Sequence, residues 1–259
     1  MDALSIAAGR RLRQRREIVV TLALVLLAVA LGGLCISIGD YPIPLDGIVR
    51  SLFSPDTGAT DSGNDFIVLE LRLPRVLTAL CAGAGAGIGG HIFQTVLRNP
   101  LASPDIIGIA AGAGTAAVTA ILVFDLNGLP VSLAALGGAV LTGLVTYLLA
   151  WRQGVSGYRL VLIGISMGAI LHAITSFLFT RARINDVQKA LAWLVGSLNG
   201  ASFAALAPLA LAMLVLLPAA ILLQRPLAAL QLGDDSARAL GIRVELTRVG
   251  LLLVAVALV

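Results

Sequence analysis

Long, predominantly apolar runs alternate with short charged stretches along this chain. The first run is Ile18–Ile38, and Arg75–Leu97, Ile106–Phe124, Val131–Ala150, Leu160–Thr180, Phe203–Leu223 and Val249–Val259 follow. A hydrocarbon core about 30 Å thick needs about 20 apolar residues in a helix. The pattern therefore predicts six full spans and the start of a seventh, whose run is cut short by the end of the chain. No small-residue cleavage site follows Ile18–Ile38, and the run is too long for the core of a signal peptide, so it reads as a retained span. The expected fold class is an all-α polytopic membrane protein. Its parts are a basic N-terminus over residues 1–17 and a transmembrane domain over residues 18–259, with loops at 39–65 and 224–243.

Composition agrees with that pattern. Hydrophobic residues make up 58% of the 259 positions and charged residues only 12%, against about 25% charged in a soluble domain. Mean hydropathy is +0.98. A net charge of +4 raises the question of nucleic acid. The basic residues, however, are nearly all Arg at the ends of apolar runs, with no aromatic residues between them, so they read as bilayer anchors. Cys35 and Cys81 both lie in apolar runs and read as small core residues, too few for a disulfide framework or a metal site.

Charge also orients the chain. Arg10, Arg11, Arg13, Arg15 and Arg16 precede the first run, and Arg98, Arg152, Arg159, Arg225, Arg238, Arg243 and Arg248 fall on the same side. The opposite side holds half as many: Arg50, Arg72, Arg75, Arg181, Arg183 and Lys189. Positive charge concentrates in the cytoplasm, which places the N-terminus and loop 224–243 there. Loop 39–65, rich in Asp, is then outside.

The stretch CAGAGAGIGG (Cys81–Gly90) contains G-x-G-x-x-G, with Asp105 following at the distance of a ribose ligand. A dinucleotide site needs a preceding strand and a βαβ unit, and these glycines lie within a span. Gly83, Gly85, Gly87, Gly89 and Gly90 are instead expected to let helices approach closely in lipid. In RNPLASPDIIGIAAGAG (Arg98–Gly114), Asn99, Pro100 and Pro104 break the helix, and Ser103 or Asp105 can cap the next one. Between Gln224 and Val244, Asp234, Asp235 or Ser236 can cap a short helix, Ala237–Leu240, which Gly241 ends. So short a helix needs a surface to pack on, and Ala237 and Leu240 are expected to face a partner. Arg72 and Arg75 flank Pro74 and could form one compact positive site. His172 reads as a hydrogen-bonded histidine between helices and His91 as packing. No phosphate-binding G-x-x-x-x-G-K-[ST] occurs, so the chain offers no nucleotide site of that kind.

LRLPRVLTAL (Leu71–Leu80), Gly89 with Gln94, and RNPLASPDIIGIAAGAG together resemble permease subunits of the FecCD type, from importers of iron chelates, haem and vitamin B12 driven by ABC ATPases. YRLVLIGISMGAI (Tyr158–Ile170) resembles that family's fifth span, ALAWLVGSLNG (Ala190–Gly200) its short re-entrant helix and turn, and RPLAALQLGDDSARALGIRV (Arg225–Val244) its ATPase-coupling loop. The resemblance runs from Leu71 to Val259 and implies the ten-helix permease fold of type II importers, of which about seven spans are present. Three further helices follow in the family, whereas this chain ends at Val259.

By the same resemblance, Arg72 and Arg75 grip acidic residues of an extracytoplasmic binding protein. Leu232, Gly233, Asp234, Asp235, Ala237, Arg238, Leu240 and Gly241 engage an ATPase. The fifth span and the segment Asp186–Gly200 border the pathway, through Ser166, His172, Thr175, Ser176, Trp193, Ser197 and Asn199. Gln94, Asn99, Pro100 and Pro104 shape the hairpin. Expected partners are a second permease copy or paralogue, two cytosolic ATPases, and the binding protein with a ferric siderophore; no nucleic acid is expected. The chain itself holds no cofactor or metal, ATP and Mg belonging to the ATPases, and it is not an enzyme. SPDIIGI favours a siderophore over cobalamin or haem. An ion-coupled secondary transporter would need carboxylates within the spans, which are lacking here, and a membrane assembly subunit is the remaining alternative.

The topology has a direct test. With Cys35 and Cys81 replaced, Thr60→Cys should react with a membrane-impermeant thiol reagent on intact cells and Ser236→Cys should not. Labelling of both positions would refute the assigned orientation.

Overall fold

The computed structural model describes residues 3–39, 41–53, 62–152 and 157–259. Asp40, Asp56, Thr60 and Asp61 of the loop at 39–65 lie outside the described residues.

Among them the chain is helical throughout. α1 (Ala3–Ser37) joins the basic residues and the first apolar run without a break. α2 (Leu45–Phe53) and α3 (Ser62–Asp65) follow, and α3 continues through a π-helical stretch, Phe66–Arg72, into α4 (Leu73–Leu97). After a 3-10 turn at Pro104–Ile107 come α5 (Ile109–Leu122), α6 (Leu129–Ala150), α7 (Gly157–Arg181), α8 (Ile184–Val195) and α9 (Phe203–Leu222). The short helices α10 (Gln224–Gln231) and α11 (Asp234–Ala239) lead to α12 (Val244–Leu258). Among the described residues, five helices are long and apolar enough to cross a membrane: Leu12–Ser37, Gly63–Leu97, Leu129–Ala150, Gly157–Arg181 and Phe203–Leu222.

The expected third span, Ile106–Phe124, takes a different form. Gly108 has a φ of 78°, in the left-handed region that favours glycine, and it breaks the run into a 3-10 turn and α5. With 14 residues, α5 is roughly 21 Å long at about 1.5 Å per residue, shorter than a hydrocarbon core. Apolarity marks burial here, since eight of α5's residues are buried within the chain.

Contacts divide the chain into two compact units, residues 1–80 with 198–207, and residues 81–197 with 208–259. In the first, Ile36, Ile43, Ile48 and Val68 form a small core. The second contains the main core, centred on Phe93, Leu160, Leu251 and Ala255, and a second cluster of Ala117, Val118, Val131 and Ala190 that seats α8.

Lipid is as apolar as leucine, so helices in it associate through close packing at small residues. Gly112 and Gly138 supply this between α5 and α6. A Cβ at Gly112 would lie 2.8 Å from the Gly138 carbonyl oxygen, and one at Gly138 would lie 2.5 Å from the Gly112 oxygen. The α4 glycines divide into two sets. Gly85 and Gly89, four residues apart, pack on the end of α12, where a Cβ on Gly85 would come 2.6 Å from the Leu258 oxygen. Around Gly83, Gly87 and Gly90 there is nothing within 4 Å of an added Cβ, so of the five glycines expected to bring helices close together, only Gly85 and Gly89 do so within this chain.

Gly138→Ala should lower the thermal midpoint of the detergent-solubilised protein, costing about 1–3 kcal/mol from overpacking. Gly87→Ala should leave it unchanged or raise it. Equal effects from the two substitutions would mean that the α5–α6 approach is not limiting.

Candidate functional site

α4 ends in a hydrogen-bonded turn that glycine normally occupies. Asn99 N–H donates to the Gln94 carbonyl at 3.0 Å and Arg98 N–H to that of Thr95 at 3.1 Å, the pattern of a Schellman cap. The left-handed position belongs to Arg98, with a φ of 51°, a conformation that costs an L-residue about 1–2 kcal/mol. Its side chain is held at several points. Nε and Nη2 donate to the Leu230 carbonyl at 3.2 and 2.8 Å, and Nη2 also donates to Asp234 Oδ1 at 2.7 Å.

Asp234 is shared with a second guanidinium. Arg248 Nη2 donates to Asp234 Oδ1 and Oδ2 at 3.2 and 3.1 Å, and its Nη1 donates to Glu245 Oε1 at 3.4 Å. Tyr147 of α6 donates its hydroxyl to Glu245 Oε2 at 2.6 Å. The Arg248 side chain is only 8% exposed, so its charge depends on these carboxylates. Partial burial by itself pushes the Asp234 carboxyl up. The hydrogen bonds and charge of Arg248, followed by those of Arg98, outweigh it and hold the group below its ordinary value of 3.8. A lowered folded value gives stabilisation that is complete above the ordinary value and is lost as pH falls through the lowered one. The contribution of Asp234 is therefore constant near neutrality.

This placement changes the reading of α11. The helix is Asp234–Ala239, longer at its start than expected, with Gly233 (φ 106°) at the N-cap and no side-chain cap. Asp234 lies inside the first turn, paired with arginines instead of capping. At the other end Gly241 N–H donates to the Arg238 carbonyl at 2.9 Å and Ile242 N–H to that of Ala237 at 3.0 Å, so Gly241 is the left-handed stop. Ala237 is fully buried in the chain's own core, because its face of α11 turns inward. That corrects the expectation that it faces a partner. Leu232 and Leu240 are 66% and 63% exposed, and Arg238, paired with Asp235 at 3.1 Å, is exposed beside them.

The hairpin after α4 is stiff. Asn99 Oδ1 accepts from Leu101 N–H at 3.0 Å and the Asn99 carbonyl from Ala102 N–H at 3.0 Å. Pro100 lies between these residues, and the Gln94 side chain is exposed. Ser103 stands at the N-cap of the 3-10 turn with Pro104 following, but its hydroxyl makes no cap bond. The turn then packs on α7. A Cβ on Gly164 would lie 2.5 Å from Ile107 Cα, and one on Gly108 would lie 2.7 Å from the Gly164 oxygen and 3.1 Å from the Gly168 nitrogen.

A cavity of about 380 Å³ opens between the turn, α5, α7 and α8, lined by Asp105, Thr115, His172, Thr175 and Leu194 among others. Thr115 and Thr175 meet across it at 2.9 Å, and Leu194 lies against Gly114, 2.9 Å from where a Cβ would be. Of the expected pathway residues, His172 and Thr175 come together here. Ser166 and Ser176 are exposed on α7, Trp193 is half-buried on α8, and Ser197 is exposed. His91 lines a different cavity of about 560 Å³, with Gln224 and Gln231. Among the described residues no three of His, Cys, Asp and Glu gather into a metal site.

Arg72, the last residue of the π-helical stretch, and Arg75, in the first turn of α4, line one cavity of about 650 Å³ together with Tyr41 and Leu198. Arg72 donates to the carbonyls of Ile36 at 2.6 Å and Tyr41 at 2.6 Å, closing the end of α1. Arg75, more exposed, donates to the Leu198 carbonyl at 3.3 Å and to Asn199 Oδ1 at 3.1 Å.

Sequence reasoning treated Arg98 and Arg248 only as charges on one side of the membrane and passed over Glu245 and Tyr147. Arg248 carried a usable signal, an ionisable residue at the head of an apolar run. Gly164 and Gly168 carried another, the spacing of close helix packing.

The chain matches the FecCD transport family model over residues 22–259. It is 41% identical over 207 residues to the ferric enterobactin transport system permease protein FepG of Escherichia coli K12, covering 80% of this chain and 63% of that protein. The achromobactin permease CbrC of Dickeya dadantii is 40% identical, with 92% and 68% covered. The Fe(3+)-citrate permease YfmE of Bacillus subtilis is 35% identical, with 95% and 72% covered. The chain thus spans roughly two thirds of the length of these relatives. A solved metal-chelate type ABC transporter in an inward-facing conformation superposes with a TM-score of 0.72 at 25% identity, covering 92% of this chain and 73% of that one. The hairpin, the glycine seat on α7 and the pinned helix α11 are therefore features of a multi-pass membrane protein that belongs to the FecCD transport family.

Proposed function

We propose that this chain is a permease subunit of an ABC importer that carries a ferric siderophore across the bacterial cytoplasmic membrane. The relatives named for ferric enterobactin, achromobactin and Fe(3+)-citrate support the substrate class. In this reading the N-terminus and residues 224–243 face the cytoplasm. Two ATPase subunits bind ATP and Mg, a second permease copy or paralogue completes the pathway, and an extracytoplasmic binding protein delivers the chelate. The cavity containing His172 and Thr175 borders the route.

One observation carries the proposal. α11 is a six-residue helix, locked inward through Ala237 and Asp234, that leaves Leu232 and Leu240 bare on its other side. A helix so short gains little from its own hydrogen bonds, and exposed leucines at its ends suit the groove of a partner. Leu240→Glu should insert and melt like the parent yet fail to retain the ATPase in co-purification. Ala237→Glu should instead destabilise the permease itself. ATPase retention by Leu240→Glu would refute α11 as the docking element.

The outer arginines separate in the same way. Arg75→Glu should weaken capture of the purified binding protein, with a larger effect at low salt, because the attraction is screened. Arg72→Gln should leave capture intact and lower the thermal midpoint, since it removes charge-assisted bonds to α1 worth about 1.5–3 kcal/mol. Unchanged capture by Arg75→Glu would mean that the guanidinium only holds the Leu198–Asn199 turn.

A further inference from the structure

We infer that Arg98 is a positioning residue that transmits movement of α11 to the pathway helix α7. The inference rests on α11 being the ATPase-docking element.

Arg98 occupies a backbone position that disfavours it. With a φ of 51° in a Schellman cap, glycine would relieve the strain and keep the cap. Strain of this kind persists where surrounding contacts determine the position, and here those contacts are made by the guanidinium. It holds the Leu230 carbonyl in the last turn of α10 and the Asp234 carboxylate in the first turn of α11. One side chain thereby fixes the angle between two short helices.

The backbone leaving Arg98 is the stiff hairpin. Asn99 closes its first turn through two bonds, Pro100 and Pro104 restrict it, and the 3-10 turn ends at Gly108. There the chain seats on Gly164 and Gly168 of α7 with no room for a methyl group between the backbones. Eight residues beyond Gly164, α7 begins the segment that puts His172 and Thr175 on the cavity, and the hairpin contributes Asp105 to the same cavity. Displacement of α11 thus has an unbroken path of hydrogen bonds and backbone contact to α7. Without Arg98, α11 keeps its Asp234–Arg248 pair and its buried Ala237. The hairpin alone loses its hold. Stability and coupling therefore divide at this residue.

The test uses the assembled transporter in proteoliposomes, with its ATPase pair and binding protein. Radiolabelled ferric enterobactin or ferric citrate serves as the probe, whichever the parent carries. Arg98→Gly suits the backbone and so controls for misfolding. It should assemble with the ATPase, hydrolyse ATP, and lose about tenfold in chelate carried per ATP. Arg98→Lys, which can reach one of the two acceptors but not span both, should recover part of that loss. Adding Asp234→Asn to Arg98→Gly should lower the ratio by less than Asp234→Asn does alone. A parent ratio of chelate to ATP in Arg98→Gly, while Leu240→Glu sheds the ATPase, would overturn this inference and leave the docking element standing. ATPase retained by Leu240→Glu would overturn both.

Discussion

A single carboxylate receives two guanidiniums at the end of the second unit. Asp234 binds Arg98 from the hairpin and Arg248 from α12, and Glu245 passes the network on to Tyr147 of α6. Arg248 is nearly buried, and leaving its charge there without an acidic partner would be strongly destabilising. Four separate parts of the chain (the end of α4, the junction of α10 and α11, the start of α12 and the end of α6) therefore take their positions from one electrostatic requirement. The lowered titration of Asp234 is the same fact seen from the carboxylate.

Away from this cluster, geometry is set by how closely backbones approach. Lipid offers little reward for burying leucine, so the helices meet where side chains are smallest. Gly112 with Gly138 and Gly108 with Gly164 bring carbonyls and Cα atoms together at distances that exclude a methyl group. These contacts hold the hairpin against α7 and α5 against α6, and the cavity with His172 lies between the 3-10 turn, α5, α7 and α8. The ion-pair cluster and the glycine contacts occupy opposite ends of one stiff hairpin. That gives the hairpin its role as the link between them.

Much of this was legible in the sequence. Apolar runs located most of the long helices, because the length of an apolar helix is dictated by the bilayer. Asn99, Pro100 and Gly241 marked turns, because their backbone preferences are local. The motifs from Leu71 to Val244 placed the chain beside a family whose model it matches over residues 22–259. The dinucleotide pattern at Gly85, Gly87 and Gly90 was set aside on the same grounds, since no strand precedes it.

Other features depended on direction, which spacing along a chain does not contain. The spacing of Arg72 and Arg75 suggested a shared face, and both line one cavity, but the carbonyls that each holds, at the end of α1 and at Leu198, could not be read from spacing. Ala237 had the pattern of a docking residue and is buried because α11 lies on its own core. Asp234 had the identity of a cap and is consumed by arginines distant in sequence. Five glycines on α4 looked alike, and only Gly85 and Gly89 meet α12. Local chemistry, the bilayer's thickness and turn preference are written residue by residue, so the sequence by itself located most of the long helices, several turns and the family. The partner of each charge and the face of each helix depend on what folding brings alongside, and the tertiary structure alone decided those.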